Sequence, residues 1–223
     1  MNLITEKYLS QLDTWPKSGR HILAQYDNEK IVVYQAYRPS IGLFASRNKC
    51  FGGEFSLDRM SWVKTNFLWM MYRSAWATKI GQEVILAVSI KLEGFNEILS
   101  LAEYSSFEPK IYQSEKEWKN KLKQSFVRLQ WDPDHDPTGN KLERRAIQLG
   151  LRGDILRLYA KEWVIDIQDI SEFVTQQRGN ATPSLYENLV TPKEEIYSVN
   201  SETLASKLKL NIKIENGKGF YLK

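Results

Sequence analysis

The strongest hydrophobic pattern in the chain is the run EVILAVSIKL at Glu83–Leu92, which predicts the clearest strand in the protein. A second run of β-branched and aromatic residues, Ile31–Arg38, predicts another strand. It ends before a proline, which has no amide hydrogen to donate to a sheet. Phe126–Trp131 alternates apolar and polar positions, as a strand with one buried face does. Two shorter strands are predicted at Ala146–Leu149 and Trp163–Ile167.

Helical patterns lie between these strands. The best supported is Ser114–Leu122, because Ser114 is a favoured N-cap and a glutamate follows three residues later. Asp58–Trp76 holds no single period, so we expect it to be split, strand-like at first and helical from Thr65. Further helices are predicted at residues 3–12, Ser40–Asn48, Gly94–Tyr104, Asp154–Tyr159, Ile170–Gln177 and Glu202–Leu208.

These elements mix without the regular alternation of a doubly wound fold, so the sequence favours an α+β fold with a mixed sheet. We predict one domain over residues 1–178. The composition becomes small and polar after Arg178, and Asn216-Gly217 is a hairpin signal between Leu210–Ile214 and Phe220–Leu222. Residues 179–223 are therefore predicted to form a small peripheral extension.

Composition limits the class of protein. The chain has 223 residues, of which 42% are apolar and 26% are charged, as in ordinary globular domains. No apolar run approaches the roughly 18–20 residues of a membrane helix, and the N-terminus lacks the layout of a secretory signal. The single cysteine, Cys50, excludes an intramolecular disulfide and a multi-cysteine zinc site. We expect a cytoplasmic protein that does not bind membranes; its oligomeric state stays open.

The net charge of +4 is unevenly spread along the chain. Residues 1–80 carry 11 lysines and arginines against 6 acidic residues. Such an excess suits a phosphate-bearing ligand or a nucleic acid, although many protein surfaces have one without function. No basic tract of the kind that binds nucleic acid by charge alone is present.

Two arginines stand out because each follows a tyrosine inside an apolar run: Tyr37-Arg38 and Tyr72-Arg73. Burying a guanidinium is costly unless an anion or carbonyl oxygens meet it. We therefore expect Arg38 and Arg73 to converge on one pocket for an anionic ligand. The alternative is that each forms a structural ion pair or stacks on a tryptophan.

Two other features carry candidate chemistry. Residues Asp132–Asp136 contain three carboxylates and an imidazole, which could bind a metal, but Asp-Pro pairs favour turns, so we predict a turn and no metal site. Gln148 lies on a predicted strand in apolar surroundings and must find hydrogen-bond partners, either within the core or on a ligand. The chain contains no GxxxxGK[ST], GxGxxG, HExxH or GxSxG motif.

Five strings of this sequence resemble, in order, the pattern of the family called domain of unknown function 4291: VVYQAYRP, DRMSWVK, FLWMMYRSAWATK, RLQWDP and RRAIQLGL. The resemblance covers roughly residues 20–175. The motif layout is in turn similar to that of the ADP-ribosyltransferases, which implies a mixed sheet around a central NAD-binding cleft.

The second resemblance implies roles for individual residues. Arg38 would hold the NAD diphosphate, Tyr72 would stack on the nicotinamide, and Ser74 would hydrogen-bond the carboxamide or a ribose. Gln148 would orient the ribose hydroxyls, which makes Gln148 and Arg38 the candidate catalytic residues. The residues implied to bind NAD are Tyr37, Arg38, Ser61, Trp62, Tyr72, Arg73 and Ser74.

Gln148 departs from the pattern, since ADP-ribosyltransferases have a glutamate at the corresponding position. A carboxylate accepts from a ribose hydroxyl and stabilises the positive charge that develops on the sugar, whereas an amide does the second only weakly. Either the chemistry is diverted, for example towards a nucleobase acceptor, or Glu143 or another acid serves, or NAD is bound without turnover.

We therefore expect an NAD-binding, ADP-ribosyltransferase-like protein that transfers ADP-ribose, with DNA or RNA as a candidate acceptor. The alternative is a non-catalytic nucleic-acid-binding module that uses the basic and aromatic residues 31–79. A metal-dependent nuclease and an unrelated small-molecule enzyme are weaker alternatives.

Overall fold

The computed structural model describes residues 3–211 and the backbone of residues 213–215 and 218–220. In this part of the chain the strands are β1 Thr5–Lys7, β2 Gly19–Arg20, β3 Leu23–Ala24, β4 Lys30–Tyr37, β5 Ser61–Lys64, β6 Val84–Lys91, β7 Ala102–Tyr104, β8 Val127–His135, β9 Lys141–Leu151, β10 Val164–Asp169, β11 Val190–Pro192, β12 Glu195–Ile196, β13 Lys213–Glu215 and β14 Lys218–Phe220.

Helices lie on both sides of the main sheet. They are α1 Tyr8–Thr14, α2 Pro39–Asn48, α3 Phe67–Ser74, α4 Leu92–Leu101, α5 Glu115–Gln124, α6 Gly153–Leu158, α7 Ser171–Arg178 and α8 Glu202–Leu208, with a π-helical turn at Tyr159–Trp163 and a 3-10 turn at Pro183–Leu185. None of the helices in the described residues is long and apolar enough to cross a bilayer.

The main sheet is open and mixed, with the strand order β10-β6-β4-β5-β9-β8-β7 and β2 added beside β9. Most neighbours are antiparallel, but β7 runs parallel to β8 and β2 runs parallel to β9. Strand β6 lies between β10 and β4 and is buried on both faces, which explains its continuous apolar sequence. The prediction of an α+β fold with a mixed sheet is confirmed.

The sheet opens between β4 and β5. These two strands share one residue pair in the described structure, Tyr34 with Lys64. On their other sides both are well paired, β4 with β6 from Lys30 to Tyr37 and β5 with β9 over its whole length. Beyond Tyr34 the strands therefore diverge, and the sheet contains a cleft between Tyr37 at the end of β4 and Ser61 at the start of β5.

Alternate residues of β4 enter two different cores. Ile31 and Val33 pack with α2, α4 and α6 on one face of the sheet, whereas Val32 and Tyr34 pack with α3 and α7 on the other. A strand sends successive side chains to opposite faces, so β4 joins both cores through the centre of the molecule. The cleft opens next to helix α3, which belongs to the second core.

Local sequence explains where α3 and α5 begin. Asn66 caps α3, since its side-chain oxygen accepts from the backbone amide of Trp69 at 2.7 Å. Ser114 caps α5 as predicted and accepts from the amide of Glu117 at 3.2 Å. Helix α3 ends in three consecutive left-handed residues, Ala75, Trp76 and Ala77.

Three local predictions are wrong. The helix predicted at Gly94–Tyr104 ends at Leu101, and Ala102–Tyr104 form strand β7, which pairs with β8. Asp132–His135 continue strand β8, and the turn begins only at Asp136. Asp136 closes the turn because its carboxylate accepts from the backbone amides of Thr138 and Asn140 at 2.9 Å each. The helix predicted at residues 3–12 starts late, since Thr5–Lys7 form a strand paired with β11, which lies far away in the sequence.

Much of the segment after Arg178 packs against the rest of the protein. Leu189 is buried in the second core, and Tyr197, Val199 and Ala205 are buried in the first. Strands β11 and β12 pair with β1 and β3 near the N-terminus. Strands β13 and β14 pair with each other, as the hairpin prediction requires, whereas the Asn216-Gly217 turn lies outside the described residues.

Candidate functional site

A pocket of about 550 Å³ lies beside the opening of the sheet. This volume is within the range of small-molecule sites. Strands β5, β8 and β9, helix α3 and the residues next to them form its wall, and the lining residues are Trp62, Lys64, Trp69, Tyr72, Arg73, Gln130, Asp132, Pro133, His135, Lys141 and Gln148.

The floor of the pocket is a row of polar side chains across three strands. Lys64 on β5 is paired in register with Gln148 on β9, and Gln148 is paired with Gln130 on β8. Register partners point to the same face of a sheet, so their side chains meet. Gln148 Nε2 donates to Gln130 Oε1 at 2.8 Å and also, in a short contact, to the Asp132 carboxylate.

Asp132 brings an acidic group to this row. It lies two residues after Gln130 on β8, and therefore on the same face of the sheet. Burial raises the pKa of its carboxyl above the ordinary value, and the hydrogen bond from Gln148 and the charge of Lys64 oppose that effect. The Gln148 amide thus holds a carboxylate inside the pocket.

Lys64 is the most unusual group in the pocket, since this lysine is only 8% exposed. Its Nζ atom lies 5.2 Å from the centre of the Trp69 ring and makes one long hydrogen bond, of 3.5 Å, to the carbonyl oxygen of Trp62. Burial lowers the pKa of the amine to about 7; the positive charge of Arg73 adds to this effect, and Asp132 opposes it.

An aromatic stack forms another wall. The rings of Tyr72 and His135 lie parallel, with centres 3.5 Å apart and an interplanar angle of 8°. Tyr72 is 47% exposed, whereas His135 is buried and neither of its ring nitrogens has a hydrogen-bond partner in the described structure. Burial lowers the pKa of His135, which favours the neutral imidazole.

Arg73 is available to an anionic ligand. It lies in the last turn of α3 and hydrogen-bonds Gln82 Oε1 at 3.4 Å. Among the described residues no carboxylate lies within ion-pair distance of its guanidinium. Arg73 lines both the 550 Å³ pocket and the depression next to it.

The adjoining depression, of about 330 Å³, occupies the cleft between β4 and β5. Gln35 bridges the cleft, since its Nε2 donates to Tyr37 Oη at 2.7 Å and to Ser61 Oγ at 2.9 Å. Tyr159 Oη donates to Gln35 Oε1 at 2.6 Å and fixes the amide orientation. Tyr37 and Ser61 thus meet at the cleft, and Trp62 lines both cavities.

Arg38 lies farther out than expected. It lines a third depression with Tyr37 and Ser61, and its Nη2 contacts the carboxylate of Glu54 at 2.6 Å, both side chains being more than half exposed. Arg38 and Arg73 therefore line different depressions, contrary to the expectation that they converge. The ion-pair alternative describes Arg38 and does not describe Arg73.

Ser74 does not reach the pocket. It is fully buried, and its hydroxyl donates to the carbonyl oxygen of Met70 at 2.9 Å within helix α3. The Ser74 hydroxyl oxygen in turn accepts from the backbone amide of Ala77 at 3.3 Å. Position 74 follows Arg73 by one residue, and one step along a helix turns the side chain away from the pocket and into the core.

The residues predicted to bind NAD did not include three that line the pocket: Lys64, Asp132 and His135. Lys64 is a cation at the end of an apolar strand. That signal is as strong as the one for Arg73, which stood out as a cation inside an apolar run. Asp132 continues the alternation that starts in the RLQ of β8, but its neighbouring proline led to the prediction of a turn. The place of His135 in the pocket cannot be inferred from the sequence, because its stacking partner Tyr72 lies on helix α3, far away in the chain.

The acidic residues near this strand have separate partners. Asp134 faces away from the pocket and pairs with the buried Arg144, with an Nη2 to Oδ2 distance of 2.6 Å. Asp136 closes the turn described above. Within residues 3–211 no three His, Cys, Asp or Glu side chains are arranged to hold a metal ion.

The model of a protein family described as Domain of unknown function (DUF4291) matches residues 21–197. The chain belongs to this family, as its motifs indicated. The description assigns no activity. None of the curated proteins matches the sequence.

Proposed function

We propose that this member of the DUF4291 family is an NAD-dependent ADP-ribosyltransferase whose site is the pocket at the opening of the sheet. One observation carries the proposal. Gln148, which the resemblance assigns to the acid position, holds the carboxylate of Asp132 beside it. The acid missing from the sequence motif is thus supplied by the neighbouring strand.

The reaction is a substitution at the sugar. The bond between C1 of the ribose and the nicotinamide nitrogen breaks, a nucleophile of the acceptor forms the new bond to C1, and the acceptor loses its proton. Asp132 would accept a hydrogen bond from a ribose hydroxyl and stabilise the positive charge on the sugar as nicotinamide leaves. Gln148 would position that carboxylate.

Glu143 is a poorer candidate for this acid. It lies on β9 five residues before Gln148, where the pairing of β9 with β8 is irregular. It is exposed and does not belong to the pocket lining. Of the alternatives that the sequence left open, another acid is the one that the geometry supports.

The remaining residues suit the other parts of NAD. Arg73, which has no carboxylate partner in the described structure, and Lys141 supply positive charge for the diphosphate. The exposed ring of Tyr72 suits the nicotinamide, because a pyridinium cation is attracted to an aromatic face. Tyr37, Ser61 and Trp62 line the cleft next to it, and Arg38 stands at its outer end.

The test measures NAD binding by calorimetry and nicotinamide release by chromatography. Asp132→Asn should lower the release rate by at least about 100-fold while NAD affinity changes little, because the carboxylate acts mainly in the transition state. Gln148→Ala should lower the rate by roughly tenfold, since it acts through Asp132.

Glu143→Gln is the matched control, a carboxylate-to-amide change on the same sheet outside the pocket, and should keep the parental rate. Equal rates for Asp132→Asn and the parent would remove Asp132 from the mechanism. A parent protein that does not bind NAD at all would end the proposal.

The non-catalytic nucleic-acid module has weaker support. The bases of a bound nucleic acid would need exposed aromatic rings to stack on. Trp69 and Trp76 are buried, however: Trp76 belongs to the second core, and Trp69 lines the pocket. Tyr72 is the ring of this segment that is most open to a base. A nucleic acid fits better as the acceptor, and labelled NAD incubated with oligonucleotides tests it.

A further inference from the structure

We infer that Lys64 is an imine-forming lysine, whose amine condenses in the pocket with an aldehyde or ketone that carries an anionic group such as phosphate. This activity goes beyond the proposed transfer and needs no NAD. The inference starts from the position of the amine rather than from any motif in the sequence.

The environment of Lys64 disfavours an ammonium ion. The residue is 8% exposed, and its amine lies over the Trp69 ring with one long hydrogen bond to a carbonyl oxygen. In the described part of the structure it forms no ion pair with a carboxylate. A buried charge with so few partners is costly, whereas a neutral amine is not.

The charged and titratable groups around Lys64 come from four elements. Arg73 on α3 repels the ammonium, and Asp132 on β8 attracts it. His135 on β8 and Lys141 on β9 line the same pocket, and Tyr34 on β4 is the register partner of Lys64. Together with burial, this balance brings the pKa of the amine to about 7, so a large fraction is nucleophilic near neutral pH.

The same neighbours define the chemistry of the ligand. Burial away from water and an adjacent cation are two known ways to activate a lysine for attack on a carbonyl group. Here the adjacent cation is Arg73, which has no carboxylate partner in the described residues and forks readily onto phosphate oxygens. The carbonyl compound should therefore carry a phosphate or carboxylate group.

The step balances without an oxidant or a reductant. The Lys64 nitrogen attacks the carbonyl carbon, and one amine proton moves to the carbonyl oxygen to give a carbinolamine. The hydroxyl group then leaves as water with the second amine proton, and a carbon–nitrogen double bond remains. Asp132 lies in the same pocket and can carry the proton that the departing oxygen needs.

The experiment traps the imine in the full-length parent protein. Glycolaldehyde phosphate is added at pH 7 with cyanoborohydride, which reduces an imine to a stable amine, and the labelled lysines are mapped by peptide mass spectrometry. Lys64 should be labelled at least about tenfold faster than the exposed Lys79 and Lys91, since ordinary lysines are almost fully protonated at this pH.

Unphosphorylated glycolaldehyde is the matched control reagent. Arg73→Gln should slow labelling of Lys64 by the phosphorylated aldehyde at least about threefold more than labelling by the neutral one, because both reactions lose the charge that lowers the pKa of Lys64 but only the phosphorylated aldehyde loses a charge-assisted contact. Labelling of Lys64 no faster than that of Lys79 or Lys91 would overturn the inference. Equal labelling of Lys64 by the two reagents would overturn the anionic class of ligand. Neither result depends on NAD binding.

Discussion

At the residue scale, the two arginines that the sequence singled out differ in their partners. Arg73 has a neutral amide beside it, whereas Arg38 already contacts a carboxylate and the hydroxyl of Ser40. A guanidinium that is free of a carboxylate can exchange water for a phosphate, but a paired one must first give up its partner. The pocket therefore depends on Arg73 for anion binding.

This difference leads to a prediction on affinity. Arg73→Gln should weaken NAD binding by about 2–3 kcal/mol, because it removes a charge-assisted contact with the diphosphate. Arg38→Gln should weaken it by less than about 1 kcal/mol, since an exposed ion pair contributes little. Calorimetric titration of the two variants and the parent measures both values.

Arg38 and Arg73 serve as controls for each other, since the change in net charge is the same in both. A larger loss in Arg38→Gln than in Arg73→Gln would contradict the assignment. It would show that Arg38 leaves Glu54 and takes the diphosphate, as the family resemblance implied.

At the element scale, helix α3 and the turn after it set one wall of the pocket. Ala75, Trp76 and Ala77 all have positive φ, between 48° and 65°. Such conformations cost roughly 1–2 kcal/mol for a residue other than glycine. The turn persists because Trp76 is buried and its Nε1 donates to the carbonyl oxygen of Pro137 at 3.0 Å, which ties α3 to the loop after β8.

A glycine in this turn should stabilise the protein. Ala75 is exposed, so Ala75→Gly removes few contacts while it relieves the left-handed strain. We expect the free energy of unfolding to rise by about 0.5–1 kcal/mol, after allowance for the greater entropy of the unfolded chain. Urea denaturation measures the change.

Ser206→Gly is the control for this substitution, since Ser206 is exposed within helix α8 and glycine there should destabilise the protein. If Ala75→Gly and Ser206→Gly lower the stability equally, the turn is not strained.

At the scale of the whole molecule, the open sheet brings distant segments into one site. Lys64, Asp132 and Gln148 come from three adjacent strands, and Tyr72 comes from the helix that packs over them. A buried lysine in such a site makes the stability of the fold depend on pH.

The sign of this dependence follows from the pKa of Lys64, which folding lowers from 10.5 to about 7. Between these values the unfolded chain holds a proton that the folded chain does not, so the free energy of unfolding rises with pH. Lys64→Met should remove this contribution. From pH 7 to 9.5 the parent should gain on the order of 3 kcal/mol relative to Lys64→Met.

Urea denaturation at several pH values measures that gain, with Lys91→Met as the control because Lys91 is exposed at the end of β6. The Lys91→Met variant should follow the parent at every pH. A constant difference between the parent and Lys64→Met across this range would show that Lys64 is not buried as an amine.

The sequence by itself determined the elements whose pattern is local. The apolar run of β6 specifies a buried strand wherever it lies, and Ser114 caps α5 through atoms only three residues away. The order of the family motifs likewise identified the family. These features depend on secondary-structure propensity and on short-range hydrogen bonds, and both can be inferred from neighbouring residues.

The tertiary structure alone decided the site. That β4 and β5 share one pair and then diverge depends on long-range register, which no local pattern encodes. The pairing of β8 with β9 put Asp132 beside Gln148, and it kept Asp132–His135 in a strand although Asp-Pro favours a turn. The environment of Lys64 is likewise set by residues far apart in the sequence, because burial and charge act through space and not along the chain.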